Sequence, residues 1–588
     1  MGTVLYKRVD YKLENLLLDI ETGRMGLPDL QRPFVWQNSK VRELFDSMMK
    51  GYPIGYLMLW DAPGGGKQIG TDSHTHDTPQ QMIIDGQQRL TSLYAVMYGK
   101  TILDSKFQER SISLAYHPLQ RKFEVTSAAL RRSAEWIPEI GEVYKNASSS
   151  YSYINGFIKR LTEAREKDGG SLSSEEQQTI ASSIQDLLNL KDYLVPTLCI
   201  TEDADEEAVA DIFVRVNSGG KSLNENDFIL TLISVHDEAE RKRIEKFCYD
   251  ATIPVAGGTS YNQLFKPKPS HIVRIVMAYG FNRARLKYAY MLLRGKDLDK
   301  GVYVPTLRDK MFQQLKLRLD EVLNLTNWHE FINCVLSAGY LAPSLIAAEN
   351  ALVYTYVMYL IGKYTFKMNS TSLRKTIARW FYMASVSTYY TTSYESAVQT
   401  DLNAVSSLNS SAEYQAYLFN KIDSIFTNDY FNITLPNALA TSAAVSPAWN
   451  AYCAAQNILG IKGLFSAVPV RNLFSPGASG TKSAVEKHHL YPKAYLPTLG
   501  FEDDRDRNQI ANFAFIEWKD NLAISDDAPE TYWKVMTDNM ADEEITKMCE
   551  DHALPVGWVK MSYPDFLEER RKLMAGIIRK GYTYLQQN

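Results

Sequence analysis

Ile83-Ile84-Asp85-Gly86-Gln87-Gln88-Arg89-Leu90-Thr91-Ser92-Leu93 reads as a strand, a tight turn and the start of a helix. The apolar pair Ile83–Ile84 closes a short buried run, Gln81–Ile84. Asp85 and Gly86 interrupt it, and Leu90, Leu93, Tyr94 and Met97 then recur at helical spacing. Backbone N–H groups at a helix start have no partner within the helix and point outward, so polar residues gathered there suit an anion such as phosphate. Arg89 adds a planar fork able to grip phosphate oxygens in pairs. Many strand–helix turns share these features, so the turn alone does not name a ligand.

The elements around this turn alternate in the same way. Leu13, Leu16, Leu17 and Ile20 mark one helix face. Val41, Leu44, Phe45 and Met48 mark another, with Asn38 or Ser39 expected as its N-cap. Tyr56–Trp60 reads as a buried strand. The stretch 62–80, with Gly64-Gly65-Gly66 and two histidines, reads as a mobile loop. Two further blocks stand out: Leu27-Pro-Asp-Leu-Gln31-Arg32-Pro33-Phe-Val-Trp36, and Ile212-Phe-Val-Arg215-Val-Asn217-Ser-Gly219-Gly220-Lys-Ser-Leu223.

The chain has 588 residues, enough for about three to five domains. Hydrophobic residues are 45%, aromatics 12% and charged residues 22%, which excludes general disorder. The net charge of −4 argues against a polycation that coats nucleic acid. The 36 tyrosines suit amphipathic surfaces as well as cores. Five scattered cysteines form no CxxC pair, which excludes a zinc ribbon and argues against a disulfide framework. The apolar run from Ala351 to Gly362 is too short to span a bilayer and reads as a buried helix. With no apolar signal core at the N-terminus, a cytoplasmic location without a membrane partner is expected.

Three regions follow: an alternating α/β region over 1–235, a helical region over 236–440, and a changed pattern over 441–588. Within the second, residues 261–300 carry nine Lys or Arg against Asp297 and Asp299, a local +7. Arg283, Arg285 and Lys287 are its candidate DNA-backbone contacts, against the alternative of a solvated helical face.

The sharpest chemistry lies in the third region, in Glu486-Lys-His-His-Leu-Tyr-Pro492. Asn508-Gln-Ile-Ala-Asn512-Phe-Ala-Phe-Ile516 follows, its apolar run reading as a strand, and Asn521 lies 33 residues after His488. Phosphodiester hydrolysis needs a base to activate water and a cation to offset charge on the phosphate. Adjacent residues of an extended segment point to opposite sides, so one histidine can bind a metal while the other faces the scissile phosphate. Two phosphate-loop look-alikes, 477–483 and 64–68, fail on spacing: the first has no Gly before its Lys, and the second has no Ser or Thr after it.

The histidine pair with Pro492, Asn512 and Asn521 resembles the HNH, or ββα-metal, nucleases, in the variant found at the C-terminus of GmrSD-type restriction enzymes. Asp85-Gly-Gln-Gln-Arg89 and the two further blocks resemble, in order, the N-terminal domain of the same family, which belongs to the ParB/sulfiredoxin superfamily. The resemblance covers both ends of the chain and leaves the middle 200 or so residues without motif. It implies an α+β multidomain chain: a ParB-like α/β domain, a helical middle, and a ββα-metal domain within a helical surround.

By the same resemblance, His488 and Asn521 are metal ligands, His489 is the general base, and Asn512 orients the base or supports its loop. The metal is Mg²⁺, Mn²⁺ or another transition metal, since His and Asn replace residues common in other HNH sites. Asp85 is the acidic group near a nucleotide or its attacking water. Gly86, Gln87, Gln88, Arg89, Gln31 and Arg32 join the nucleotide pocket. Arg215 and Asn217 contact nucleotide or brace the turn. GTP, ATP and CTP are not distinguished.

The implied function is a nucleotide-regulated, modification-dependent restriction endonuclease acting on modified phage DNA, as a dimer if both strands are cut. Relatives attack DNA with glucosylated or otherwise modified cytosine or respond to phosphorothioate DNA. The alternatives are a nucleotide-switched, ParB-like DNA-binding protein without cleavage, and an indiscriminate nuclease.

Overall fold

The computed structural model describes residues 4–26, 34, 36–61, 81–103, 109–167, 169–201, 203–204, 212, 229–230, 233, 237–251, 264–286, 291, 293, 295–296, 304–474, 485–524 and 526–588. These residues are mixed α/β, with a small mixed sheet in the N-terminal part. The chain divides into two compact units, Met1–Arg241 and Lys242–Asn588.

The first unit is built on a five-stranded sheet. Its strands are β1 (Tyr6–Lys12), β2 (Met25–Gly26), β3 (Leu57–Asp61), β4 (Gln81–Asp85) and a strand over Leu194–Ile200. The two-stranded pairs β5 (Ile102–Leu103) with β6 (Glu109–Arg110) and β7 (Leu114–His117) with β8 (Lys122–Val125) come between, which makes Leu194–Ile200 β9. The five strands run in the order β1-β9-β3-β4-β2. β9 pairs antiparallel with β1 and parallel with β3, and β4 pairs antiparallel with β3.

Helices α1 (Leu13–Glu21), α2 (Asn38–Met49) and α3 (Gln87–Tyr98) supply apolar faces to one core. Leu13, Leu16 and Leu17 are buried, as are Val41, Leu44, Phe45 and Met48, as their spacing requires. The expected cap is corrected: α2 opens at Gln37, whose side chain makes no capping bond, and Asn38 is already helical. The helix over Ser174–Asn189 opens with a capping box in which Ser173 and Glu176 satisfy each other's backbone N–H groups.

The second unit is mostly helical. Ala351–Leu360, inside the helix Glu349–Leu360, is buried on all sides. Many tyrosines serve this core, while others such as Tyr584 lie exposed. Tyr354, Tyr356, Tyr359, Tyr382, Tyr390 and Tyr414 are buried, and their hydroxyls are answered locally. Tyr414 donates to Met358 O at 2.6 Å and Tyr382 to Ile578 O at 2.8 Å. Such pairing is what makes burying a phenol affordable.

Beside these helices, β10 (Val485–His489) pairs antiparallel with β11 (Phe513–Glu517), and α4 (Trp518–Ile524) follows at once. The apolar run expected as a strand from Ile510 begins with a 3-10 turn over Ile510–Asn512, so β11 starts at Phe513. The C-terminal helix α5 spans Tyr563–Gln587. Among the described residues, no helix is long and apolar enough to cross a membrane. All five cysteines are free.

Candidate functional site

One candidate site lies in each unit. In the first, Asp85 ends β4 and Gly86 caps α3 in the left-handed conformation, φ 95°. That backbone favours glycine, and a Cβ there would collide with Leu57 Cδ2. Gly55, φ 87°, lies opposite, where a Cβ would meet Arg89 Nη1 at 2.6 Å.

The two glycines make room for the Arg89 guanidinium. It donates to Ile54 O at 2.7 Å, to Tyr56 O at 2.8 Å and to Asp85 Oδ2 at 3.3 Å. Arg89 is thereby engaged in holding the 54–56 turn against β4. A phosphate fork was the expectation, and the geometry gives a brace. Asp85 is 41% exposed on its side chain and keeps a face open to a ligand. Gln87 and Gln88 lie half-buried in the first turn of α3. Gln31, Arg32, Arg215 and Asn217 lie outside the described residues.

Gly86→Ala is expected to destabilise this unit by about 2 kcal/mol, through left-handed strain plus the clash with Leu57. The measurement is a thermal midpoint, and an unchanged midpoint would show that the turn relaxes freely.

In the second unit, β10 delivers the two histidines in opposite directions. The His488 ring is buried, and its Nδ1 is 2.7 Å from Asn521 Oδ1 on α4. Its Nε2 is buried and, among the described residues, has no hydrogen-bond partner. Burial pushes its pKa down to about 4, so the ring is neutral at pH 7 and offers a lone pair.

This pair fits a divalent cation in either of two arrangements. If Nδ1–H donates to Asn521, the unanswered Nε2 is the ligand and Asn521 orients it. Alternatively, Nδ1 and Oδ1, 2.7 Å apart, would both turn to one ion.

His489 meets a different asparagine. Its Nε2 is 3.1 Å from Asn508 Oδ1, and its ring packs edge-on against Phe513 at 4.8 Å. Asn508 Nδ2 donates to Asp504 O at 2.8 Å. That bond fixes the amide: its nitrogen faces a carbonyl, so its oxygen faces His489 and must accept. His489 therefore carries its proton on Nε2 and leaves the Nδ1 lone pair open. Burial lowers its pKa, the bond to Asn508 opposes this, and Lys493 and Lys487 lower it further.

Asn512 is fully buried and reads its neighbour like a strand partner. Its Oδ1 accepts from Tyr491 N at 2.8 Å, and its Nδ2 donates to Tyr491 O at 2.9 Å. It closes the loop that follows the histidines, while the bond to the His489 ring comes from Asn508. Sequence spacing did not single out Asn508, and its place at the end of the short helix Asp504–Arg507 is the signal that does.

The loop is fastened from outside as well. Tyr532 OH donates to Leu490 O at 2.7 Å, and Tyr491 OH lies 2.9 Å from both Trp558 O and Met561 O. Arg570 on α5 is fully buried and donates to Ala511 O at 2.6 Å and His552 O at 3.2 Å. Although Arg571 and Lys572 follow it directly, Arg570 takes no part in a basic surface.

The basic stretch of the second unit is partly neutralised by acids from elsewhere. Lys268 pairs with Glu349 at 2.8 Å and Arg274 with Glu395 at 3.0 Å. Arg285 is exposed and reaches Ser396 Oγ at 3.4 Å, and Arg283 donates to the neighbouring Asn282 O. Lys287 lies outside the described residues, as do both phosphate-loop look-alikes apart from their flanks.

Residues 13–234 match the family model described as the GmrSD restriction endonuclease N-terminal domain. An uncharacterized protein of Methanocaldococcus jannaschii is 22% identical over 559 residues, covering 89% of this chain and 86% of its own length. The matched region contains β1's partner sheet, the Asp85–Arg89 turn and the helices that pack on them. Over residues 13–234, then, the chain is similar to the N-terminal domain of GmrSD-type restriction endonucleases.

Proposed function

We propose that this chain is a divalent-metal-dependent DNA endonuclease that restricts modified phage DNA under nucleotide control. The observation that carries the reading is that each of two adjacent histidines has its own asparagine: His488 with Asn521, His489 with Asn508. The order strand, strand, helix around them supports the HNH assignment.

His488 and Asn521 would hold the ion, Mg²⁺, Mn²⁺ or another transition metal, which when bound offsets charge on the phosphate and the leaving oxygen. His489 takes the proton of the attacking water on Nδ1, the nitrogen left open by Asn508. The Asn508 oxygen then steadies the imidazolium through Nε2–H. Asn512 keeps the loop after the histidines in register, so both rings hold their angles.

In the first unit, Asp85 faces the attacking water or the sugar–phosphate of a nucleoside triphosphate bound at the start of α3. Arg89 keeps that turn rigid. GTP, ATP and CTP are all tested as the ligand. Asp85→Ala is expected to lower triphosphate hydrolysis at least about tenfold, since loss of a general base removes a factor of this order or more. Phosphate release measures it, and an unchanged rate takes Asp85 out of the pocket.

The decisive experiment incubates the full chain with unmodified and cytosine-modified DNA, with Mg²⁺ or Mn²⁺ or chelator, and with each triphosphate. Metal-dependent cutting confined to modified DNA is expected. Binding without cutting under every condition marks a nucleotide-switched DNA-binding protein instead. Equal cutting of both DNAs marks an indiscriminate nuclease. A break in both strands needs two cuts, and a homodimer supplies two sites.

A further inference from the structure

We propose that Lys487 is a substrate-phosphate contact, placed beside His489 on the proton-accepting side of the hairpin; this rests on the nuclease reading above. β10 is extended, so alternate residues share a face, and Lys487 goes with His489 rather than with His488. The register gives the same grouping. Lys487 lies opposite Phe515, and His489 lies opposite Phe513.

The ammonium does not stay over its own partner. It leans along the strand to the Phe513 ring, 5.9 Å from the centroid, the ring against which His489 packs at 4.8 Å. A cation and a base from alternate positions thus gather on one aromatic ring.

Lys487 is also available. Its side chain is exposed, and among the described residues no carboxylate pairs with it. Lys493, the next lysine along the chain, is held by Asp504 at 2.9 Å. A solvated ammonium needs no compensating partner inside the protein, so leaving it single costs the fold little. It gains one when a phosphate oxygen arrives, by a charge-assisted hydrogen bond and by release of a counterion from the DNA.

The test uses the full chain carrying His489→Ala, so that cutting is slowed at least about 10²-fold while binding is measured. The probe is a short fluorescent DNA duplex, with and without hydroxymethylated cytosine, titrated across a potassium chloride series. Adding Lys487→Gln is expected to reduce the log–log salt slope by about 0.9, the share of one phosphate contact. Lys487→Arg is expected to restore it, and Lys487→Met serves as a second neutral variant with its folding checked by thermal midpoint. In the chain with His489 intact, the neutral variants should lower kcat/KM for cutting and the arginine variant should recover it. An unchanged slope in both neutral variants, with the duplex still bound and still cut by the parent, overturns the Lys487 assignment alone. A parent chain that neither binds nor cuts duplex overturns the nuclease reading and Lys487 together.

Discussion

A His489→Ala chain is expected to bind DNA as tightly as the parent and to cut it about 10²–10⁴-fold more slowly, the usual worth of a positioned general base. The geometry separates the two properties. His489 is packed edge-on against Phe513 and tied to Asn508, so its loss leaves β10 paired with β11 and leaves Lys487 in place. Asn508→Leu removes the acceptor that fixes the proton on Nε2, together with the bond that the amide donates to Asp504 O. It should fall between parent and His489→Ala in kcat, with KM little changed, while Asn508→Asp keeps the acceptor and most of the rate. Single-turnover cutting and equilibrium binding on the same duplex give both numbers. Cutting by His489→Ala at the parental rate would remove this histidine from the mechanism.

The second large effect is on stability. Arg570→Met is expected to destabilise the second unit by about 3–5 kcal/mol, from two hydrogen bonds to a charged donor worth roughly 1.5–3 kcal/mol each. The methionine fills part of the space but leaves Ala511 O and His552 O buried without a donor. Arg570→Lys should recover little, because one ammonium cannot reproduce a planar fork aimed at two carbonyls. Denaturant unfolding of the full chain reads the change. A midpoint within experimental error of the parent would mean that water reaches those carbonyls. Ala511 precedes Asn512, so the same variant should also loosen the histidine loop and reduce cutting before it unfolds the protein.

The parts of the fold legible in the sequence are those where burial writes a period. Val41, Leu44, Phe45 and Met48 face one way because only one face of α2 meets the core, and the buried run of β3 stands out as an unbroken apolar stretch. β1 and β9 were hidden for opposite reasons. β1, Tyr-Lys-Arg-Val-Asp-Tyr-Lys, lies on the sheet edge and is largely exposed, so it carries little apolar signal. β9 contains Pro196, which argues against a strand interior, yet it pairs on both sides.

The histidine site was legible as a set of residue types, and its wiring was not. Asn508 and Asn512 are both asparagines on one loop. Which one reaches a ring and which one reaches backbone depends on the turn between them, a matter of a few ångströms that no spacing encodes. Arg89 was misleading for a related reason. Its planar donors suit phosphate and backbone carbonyls equally, and the choice was made by Gly55 and Gly86, which let the 54–56 turn come close.

The anchors of the histidine loop arrive late in the chain. Tyr491 is tied to Trp558 and Met561, and Ala511 to Arg570, all encoded after both strands of the hairpin. During synthesis, therefore, His488 and His489 emerge well before the carbonyls and the guanidinium that hold their loop. A polypeptide cut short before Arg570 has every residue of the candidate centre but lacks this brace. The order of synthesis itself thus delays completion of the braced centre until the last helix is made.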